Sequence, residues 1–505
     1  MNPILYWNAV ALEVERRDFT FNGDGDSSAA GKLDPEQGGP TRTSRALAIV
    51  HIAMYEAVVR SNPAARLTPY GPLATRMFSV RHADSSLFVA GAVAGAAEAA
   101  LNTLWPRQKA FVASRLVSYH GGTPSSDFQD GVALGHDVAA ALLVIRDPKS
   151  DRSDQPDDTT FSQQHGHHRP DPFAPTQGRL GTNWGAVTPF CIKNNINIDD
   201  YLAPPPRVGT PRYDVAVKEA KQLGAAVGST RISDDTVAGI FWGYDGSRGL
   251  GVPPRLYNQF ARAFVEQHDP QITVPSAARL FALINAGMAD AAIVAWGAKY
   301  KYDLWRPVVG IREHDTGFGP SHGASTGVAT PTHCDPMWAP LGRPGTNTPS
   351  DLTKTPDFPA YPSGHAAFGA VSIRMLALFY AGSKLGATSR EIMDLTVNFV
   401  SDEFNGISQD PTGHVRPYHV RTLTLRDAIV ENAISRVLLG VHWRFDGIGA
   451  IAPQDLDGAL PARWQDPVGQ SNDPDEERIG GVPAGLKIAN EVFSRWFGVD
   501  SGQLH

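Results

Sequence analysis

Along most of this chain the apolar positions recur every three or four residues and hardly anywhere alternate, which is the spacing of helices with one buried face. Residues 4–20 read as a short helix or extended lead-in, and 21–40, rich in Gly, Asp and Pro, as loop. From Ser44 onward Leu47, Val50, Met54, Ala57 and Val58 fall on one face, with Ser44 as candidate N-cap and His51 as a core histidine inside the helix. An Ala-rich helix is predicted over 86–104, where small side chains suit close packing, and two more over 108–119 and 127–145. Four helices with short connections predict a bundle.

The pattern breaks over 147–189, where Asp, Pro, Gly and Gln dominate and His165, His167 and His168 cluster. No fixed further ligand accompanies that tract, so we read it as a long packed loop shaping a pocket mouth. Helices resume over 215–227 and 233–242, followed by a turn-rich link at 241–247 that carries one carboxylate, Asp245. A long amphipathic segment covers 275–305, and 308–357 reads as loop. After Pro362 the apolar series Phe368, Val371, Met375, Leu376 and Phe379 predicts a helix starting at Ser363-Gly364-His365 and stopped by Gly382. Helices over 389–403 and 424–439, a loop between them, and an amphipathic helix at 486–497 complete an all-α reading without internal repeats.

Composition narrows the function classes. In 505 residues, 45 Lys and Arg against 52 Asp and Glu give a net charge of −7 without long runs, which argues against a nucleic-acid surface. Cys191 and Cys334 have no ligand-spaced partner and are expected to be thiols. The opening Met-Asn-Pro-Ile-Leu-Tyr-Trp-Asn lacks the basic and apolar regions of a signal peptide. No run is expected to reach the roughly 18 apolar residues of a membrane span. The expectation is a soluble protein, cytoplasmic or exported by a non-standard route, monomer or homodimer, with no nucleic-acid or membrane partner.

Three separated clusters carry the chemistry. Trp296, Lys299 and Arg306 are spaced to share a helix face, with Pro307 ending that helix. Ser363-Gly364-His365 opens a helix, where unpaired N–H groups and the dipole favour an anion. Ser435-Arg436, then His442 and Asp446, place a cation, an imidazole and a carboxylate able to orient that ring, with Gly440 as the expected helix stop. Together they suit a tetrahedral oxyanion: guanidinium forks for paired oxygens, Lys as a point charge, His442 to bond the central atom and His365 to move a proton.

These motifs, Lys-x6-Arg-Pro, Pro-Ser-Gly-His and Ser-Arg-x5-His-x3-Asp, resemble those shared by vanadium-dependent haloperoxidases and type 2 phosphatidic acid phosphatases. Phe-Pro-Ala-Tyr-Pro-Ser-Gly-His-Ala, Glu-Asn-Ala-Ile-Ser-Arg, Gly-Val-His-Trp-Arg-Phe-Asp and the Tyr-Asp-Gly-Ser link at 244–247 are similar to the vanadium chloroperoxidase branch. The resemblance covers most of the chain and implies two four-helix bundles with long connecting loops. We divide these as 1–230, including loop 147–189, and 231–505, which carries the site, together one compact unit. It implies vanadate as cofactor, held by hydrogen bonds from Lys299, Arg306, Ser363, Gly364 and Arg436, with His442 as vanadium ligand. His365 would be the acid–base group, Lys299 would polarise the oxygen that halide attacks, and Asp245 would hold Arg436. Trp296 and Phe358 match aromatic positions of the halide site.

The implied reaction is oxidation of chloride or bromide by hydrogen peroxide to a hypohalite-level species that halogenates a small organic acceptor. Two rivals use the same residues: a soluble acid phosphatase with a phosphohistidine on His442, and a non-catalytic phosphate- or vanadate-binding protein. Two departures from the branch stand out. Asp357 occupies a position where proline is expected, and a carboxylate there would repel chloride. The loop at 313–335, with His314, His322 and His333, is expanded beside the access channel.

Overall fold

The computed structural model describes residues 1–20, 34–81, 83–315, 318–320, 333–349, 351–381, 387–449, 456 and 475–497. His322, Gly382 and the 21–33 part of the first predicted loop lie outside the described residues. Among the described residues the chain forms α1 (Pro3–Asp18), α2 (Gly39–Ser61), α3 (Ser86–Leu104), α4 (Lys109–His120), α5 (Ser126–Ile145), α6 (Pro148–Asp151), α7 (Pro211–Leu223), α8 (Ser233–Phe241) and α9 (Pro253–His268). Then follow α10 (Val274–Tyr302), α11 (Pro307–Arg312), α12 (Gly364–Tyr380), α13 (Ser389–Met393), α14 (Leu425–Leu438), α15 (Arg444–Gly447) and α16 (Gly481–Phe497). The fold is all-α in class, as the periodicity predicts. Among the described residues one two-stranded antiparallel sheet, β1 (Thr396–Phe399) with β2 (Arg421–Thr424), departs from it.

That sheet corrects the helix expected over 389–403. After Met393 the sequence Thr-Val-Asn-Phe alternates exposed and buried positions, so a strand places Val397 and Phe399 inward where a helix would not. Helix α2 begins five residues before the expected N-cap, at Gly39 with Pro40 in its first turn, and Ser44 lies inside it, donating its hydroxyl to Thr41 O at 2.8 Å. Helix α9 went unread in the periodicity, although Leu256, Phe260 and Phe264 recur every four residues and all are buried. His51 is the satisfied core residue expected: Nδ1–H donates to Leu47 O at 2.7 Å, and Nε2 accepts from Asn8 Nδ2 at 2.9 Å.

Helix α10 packs against α2 on one side and against α12 and α16 on another. It is apolar around most of its girth because it is enclosed, and the polar groups at its centre are paired. Asn285 exchanges amide hydrogen bonds with Asn258, and Asp290 accepts the N–H groups of Phe190, Cys191 and Ile192 at 2.6, 2.8 and 3.0 Å. This enclosure also corrects the expectation about apolar runs. Among the described residues Ser86–Leu104, Ser126–Ile145 and Val274–Tyr302 are each long and apolar enough to cross a membrane. Burial in a bundle and burial in lipid select similar compositions; for Val274–Tyr302, 94% of the apolar window is buried inside the protein.

Helix α12, which carries Gly364 and His365, is gripped by α16 through glycines. A Cβ on Gly485 would meet Ala367 O at 2.5 Å. Gly485→Ala is therefore expected to lower unfolding free energy by about 1–3 kcal/mol through overpacking, checked by urea denaturation.

Candidate active site

Each cluster reaches the site by its own local device. Lys299 lies near the end of α10, and Asp303 in the left-handed conformation (φ 48°) ends that helix. Arg306 is thus not on the same helix, as the spacing suggested; it is the N-cap of α11, and Pro307 starts a helix instead of ending one. The turn, not a shared face, brings the two cations together. Ser363 caps α12, its Oγ accepting the Ala366 N–H at 3.4 Å, while its own N–H donates to Asp446 O at 2.7 Å. Arg436 is in the last turn of α14, and Gly440 at φ +71° lets the chain double back to bring in His442.

The side chains interlock with almost no solvent. Arg436 donates two hydrogen bonds to Asp245, at 2.7 and 3.1 Å. Arg306 donates Nε–H to Phe358 O at 2.9 Å, and Nη1–H to Val441 O and His442 Nε2, both at 2.9 Å. His442 Nδ1–H donates to Asp446 Oδ2 at 2.8 Å, and Trp443 N–H donates to the same oxygen at 2.9 Å. That pairing fixes the His442 tautomer and leaves Nε2 with the lone pair. His365 Nε2–H donates to Gly243 O at 2.6 Å, so its free lone pair is on Nδ1; Asp245 Oδ1 lies 3.9 Å from Nε2. Lys299 gives its three N–H groups to the carbonyls of Pro359, Ala360 and Pro362, at 2.9, 3.1 and 2.6 Å.

Burial and mutual repulsion set the protonation states. Burial, then Arg306, holds Lys299 well below the usual lysine value. Burial lowers Arg306 to about 10 and, with Arg436 second, His365 to about 3. Burial followed by Arg306, Lys299 and Arg436 keeps His442 well below the ordinary imidazole value. Burial also pushes Asp446 up to about 7, against the pull of the Trp443 N–H, Lys299 and Arg306. Asp245 moves the other way: burial would raise it, but Arg436 and His365 more than offset this.

Two guanidiniums and the Lys299 amino group face Asp245 and Asp446, and two N–H groups, Arg306 Nη2 and Arg436 Nε, are buried without hydrogen-bond partners. A buried unpaired charge donor is unfavourable unless an acceptor joins it. The donor set, an excess of positive charge, orphaned N–H groups, a helix start and an imidazole with a free lone pair fit a compact multivalent oxyanion such as vanadate.

The site opens into a cavity of about 820 Å³ lined by Asp245, Trp296, Asp357, Phe358, Gly364, His365, Phe368, Arg343 and His442, among others. Trp296 and Phe358 pack with ring centroids 4.8 Å apart, and Lys299 Nζ lies 5.0 Å from the Phe358 centroid. Gly364 brings the backbone against Trp296, since a Cβ there would sit 3.1 and 3.2 Å from its ring atoms. Loop residues Ala174, Thr176, Gln177, Gly178 and Leu180 line the cavity, in line with the reading of 147–189. The histidine tract diverges: His165 faces the carbonyls of Glu313 and His314, His167 pairs with Asp303 at 2.9 Å, and His168 is buried.

Sequence reasoning missed three contributors. Arg343 donates to Asp245 O at 3.3 Å and lines the cavity, with no sequence signal beyond its charge. Glu403, buried with Arg416 at 2.7 Å and Thr346 at 2.5 Å, accepts the Tyr244 N–H at 3.4 Å and so steadies the link that presents Gly243 O and Asp245. His168 lies within the field of Arg306, Arg179 and Lys299, and burial keeps it neutral; only its place in a histidine tract marked it.

Comparison with known proteins places the chain in a family. The vanadium chloroperoxidase N-terminal domain model matches residues 1–119, and that of the VCPO second helical-bundle domain matches 279–452, together more than half of the chain. The chain belongs to the vanadium chloroperoxidase family of vanadium-dependent haloperoxidases. It is 29% identical to vanadium chloroperoxidase from Curvularia inaequalis, over 98% of this chain and 90% of that one. The fold is similar to that of a bacterial vanadium-dependent iodoperoxidase, with a TM-score of 0.63 at 17% identity over 98% of this chain and 96% of that one. It is also similar to a bacterial vanadium-dependent chloroperoxidase in its holo form, with a TM-score of 0.55 at 14% identity over 92% and 94%.

Proposed function

We propose that this chain is a vanadate-dependent haloperoxidase that oxidises halide with hydrogen peroxide and releases a hypohalite-level oxidant to a small organic acceptor. The observation that carries the reading is the buried excess of cations with orphaned N–H groups around the His442 lone pair. Arg306, Arg436, Ser363 and the Gly364 N–H would hold vanadate oxygens, and His442 Nε2 would be the ligand, released from its hydrogen bond with Arg306. Lys299 would turn an N–H from a backbone carbonyl toward the anion. Bound there, vanadate supplies a Lewis acid that activates peroxide without changing oxidation state.

His365 is neutral in the free protein and presents Nδ1 as a base to take the peroxide proton. Asp245 keeps Arg436 oriented, and Asp446 keeps His442 in the required tautomer. The Trp296–Phe358 pair supplies an apolar wall where a weakly hydrated halide can shed water beside Lys299. The chain is further proposed to act as a soluble monomer or homodimer without a nucleic-acid or membrane partner; its net negative charge speaks against a nucleic-acid surface, and the enclosure of α10 against that helix crossing a membrane.

The test is halogenation of a diketone by peroxide plus bromide or chloride. Protein stripped of phosphate and metal is assayed before and after orthovanadate, with p-nitrophenyl phosphate hydrolysis alongside. Vanadate-dependent halogenation is expected. Vanadate-inhibited phosphatase turnover with no halogenation would overturn the reading.

Between halides we propose that bromide is preferred. Asp357 lines the cavity next to Phe358, and burial raises its carboxyl above the ordinary value. It is neutral below that raised value and repels halide above it, so halide KM is expected to rise with pH through the Asp357 titration. Asp357→Asn should flatten that dependence and raise chloride kcat/KM relative to bromide several-fold, read from steady-state kinetics with both halides. An unchanged ratio and pH profile would remove Asp357 from the halide path.

A further inference from the structure

Just past α11, and away from the oxyanion cluster, His314, Asp315 and His333 each place one ligand atom within 4.8 Å of the other two. Asp315 Oδ1 lies 3.4 Å from His333 Nδ1 and 3.8 Å from His314 Nδ1. Metal–ligand bonds of about 2.0–2.1 Å in tetrahedral geometry put ligand atoms roughly 3.3 Å apart, so both edges are close to the required length. The chain returns to this point because Asp335 N–H donates to Ile311 O at 2.9 Å on α11. Cys334 is held there too, its backbone N–H donating to Asp315 Oδ2 at 3.2 Å.

His314 supplies the second observation. Its Nε2 is 3.2 Å from Asp214 Oδ1, a contact an imidazole N–H makes by donating. The other ring nitrogen, Nδ1, is buried with no hydrogen-bond partner and lies 3.8 Å from Asp315 Oδ1. A cation held between that nitrogen and the carboxylate oxygen would give both a partner. A carboxylate on the far nitrogen of a histidine is the usual support of a metal-bound imidazole, fixing its tautomer and raising its basicity.

We propose that His314, Asp315 and His333 form a structural site for a divalent transition metal of the zinc type, with Asp214 orienting His314. Two imidazoles and a carboxylate suit Zn²⁺ and Co²⁺ better than Ca²⁺ or Mg²⁺, which prefer all-oxygen shells. The metal would tie the residues after α11, the helix capped by Arg306, to the returning 333–335 segment, and so brace the cation end of the oxyanion cluster from behind.

The probe is the metal alone on the full-length chain. After chelation and dialysis, Zn²⁺ is titrated by calorimetry and thermal shift, and Co²⁺ by visible absorption. One ion per chain is expected, with a higher Tm and the d–d bands of a four- or five-coordinate Co²⁺ that Zn²⁺ displaces. His314→Ala and His333→Ala should each weaken binding at least tenfold, and Asp214→Asn about 10–100-fold, the usual range for a supporting carboxylate. Absence of a saturable Co²⁺ spectrum and of a Zn²⁺ thermal shift in the parent overturns the proposal without any variant. Binding that survives unchanged in both histidine variants also overturns it.

Discussion

Replacing His442 by alanine is expected to leave a folded protein that does not retain vanadate. In the parent, Asp446 holds Nδ1–H at 2.8 Å and thereby directs the Nε2 lone pair toward Arg306, whose Nη2 has no partner of its own. Burial and three neighbouring cations keep this ring neutral near pH 7, so no proton competes for Nε2. Removing the ring deletes the proposed vanadium ligand and leaves hydrogen bonds and charge. The expected result is a loss of at least 100-fold in vanadate affinity, measured by equilibrium dialysis, with circular dichroism unchanged. Parent-like affinity would show that the ligand assignment is wrong. Vanadate bound weakly, through the cations alone, is the state the variant should reach at high concentration.

The second large effect is expected at His365, and there the signs separate: vanadate stays bound while turnover falls by about 10²–10⁴-fold, the usual contribution of a positioned acid–base group. His365 offers Nδ1 while its Nε2–H is tied to Gly243 O, and the repulsion of Arg436 adds to burial in lowering its pKa to about 3. A depressed imidazole is deprotonated, and so competent as a base, at every pH above that value. An anion bound among the cations cancels part of their repulsion and raises the value, so the acid limb of kcat/KM for peroxide in the loaded enzyme should lie above pH 3. His365→Ala should lack that limb altogether. Retained turnover with the parent's pH profile would assign the proton transfer elsewhere.

Much of this was legible in the residues because its causes are local. Helices α3, α5, α8, α12 and α14 follow from apolar spacing and capping, and Ser363 and Thr424 cap α12 and α14 with their own hydroxyls. The oxyanion residues announced themselves because their types are rarely needed by a core: two arginines, a lysine and two histidines in apolar company require an explanation that packing does not give. Elsewhere local signals misled. Thr396–Phe399 is a strand because β2 is there to pair with it, and α2 begins at Gly39 because Pro40 accepts a first turn that Ser44 could equally have capped.

The sequence by itself determined the helical class, the three clusters that gather at the site and the oxyanion chemistry they imply, since these depend on residue type and short-range spacing. Tertiary structure alone decided how those clusters meet. A left-handed Asp303 and the cap at Arg306 replace the supposed shared helix face, and Gly440 folds His442 back beside Arg306. It also decided the protonation states, because desolvation and the field of neighbouring charges depend on which distant residues are packed around each group. Arg343, Glu403 and His168 could be recognised only there: their roles come from contacts across tens to hundreds of residues, and no periodicity or motif encodes those.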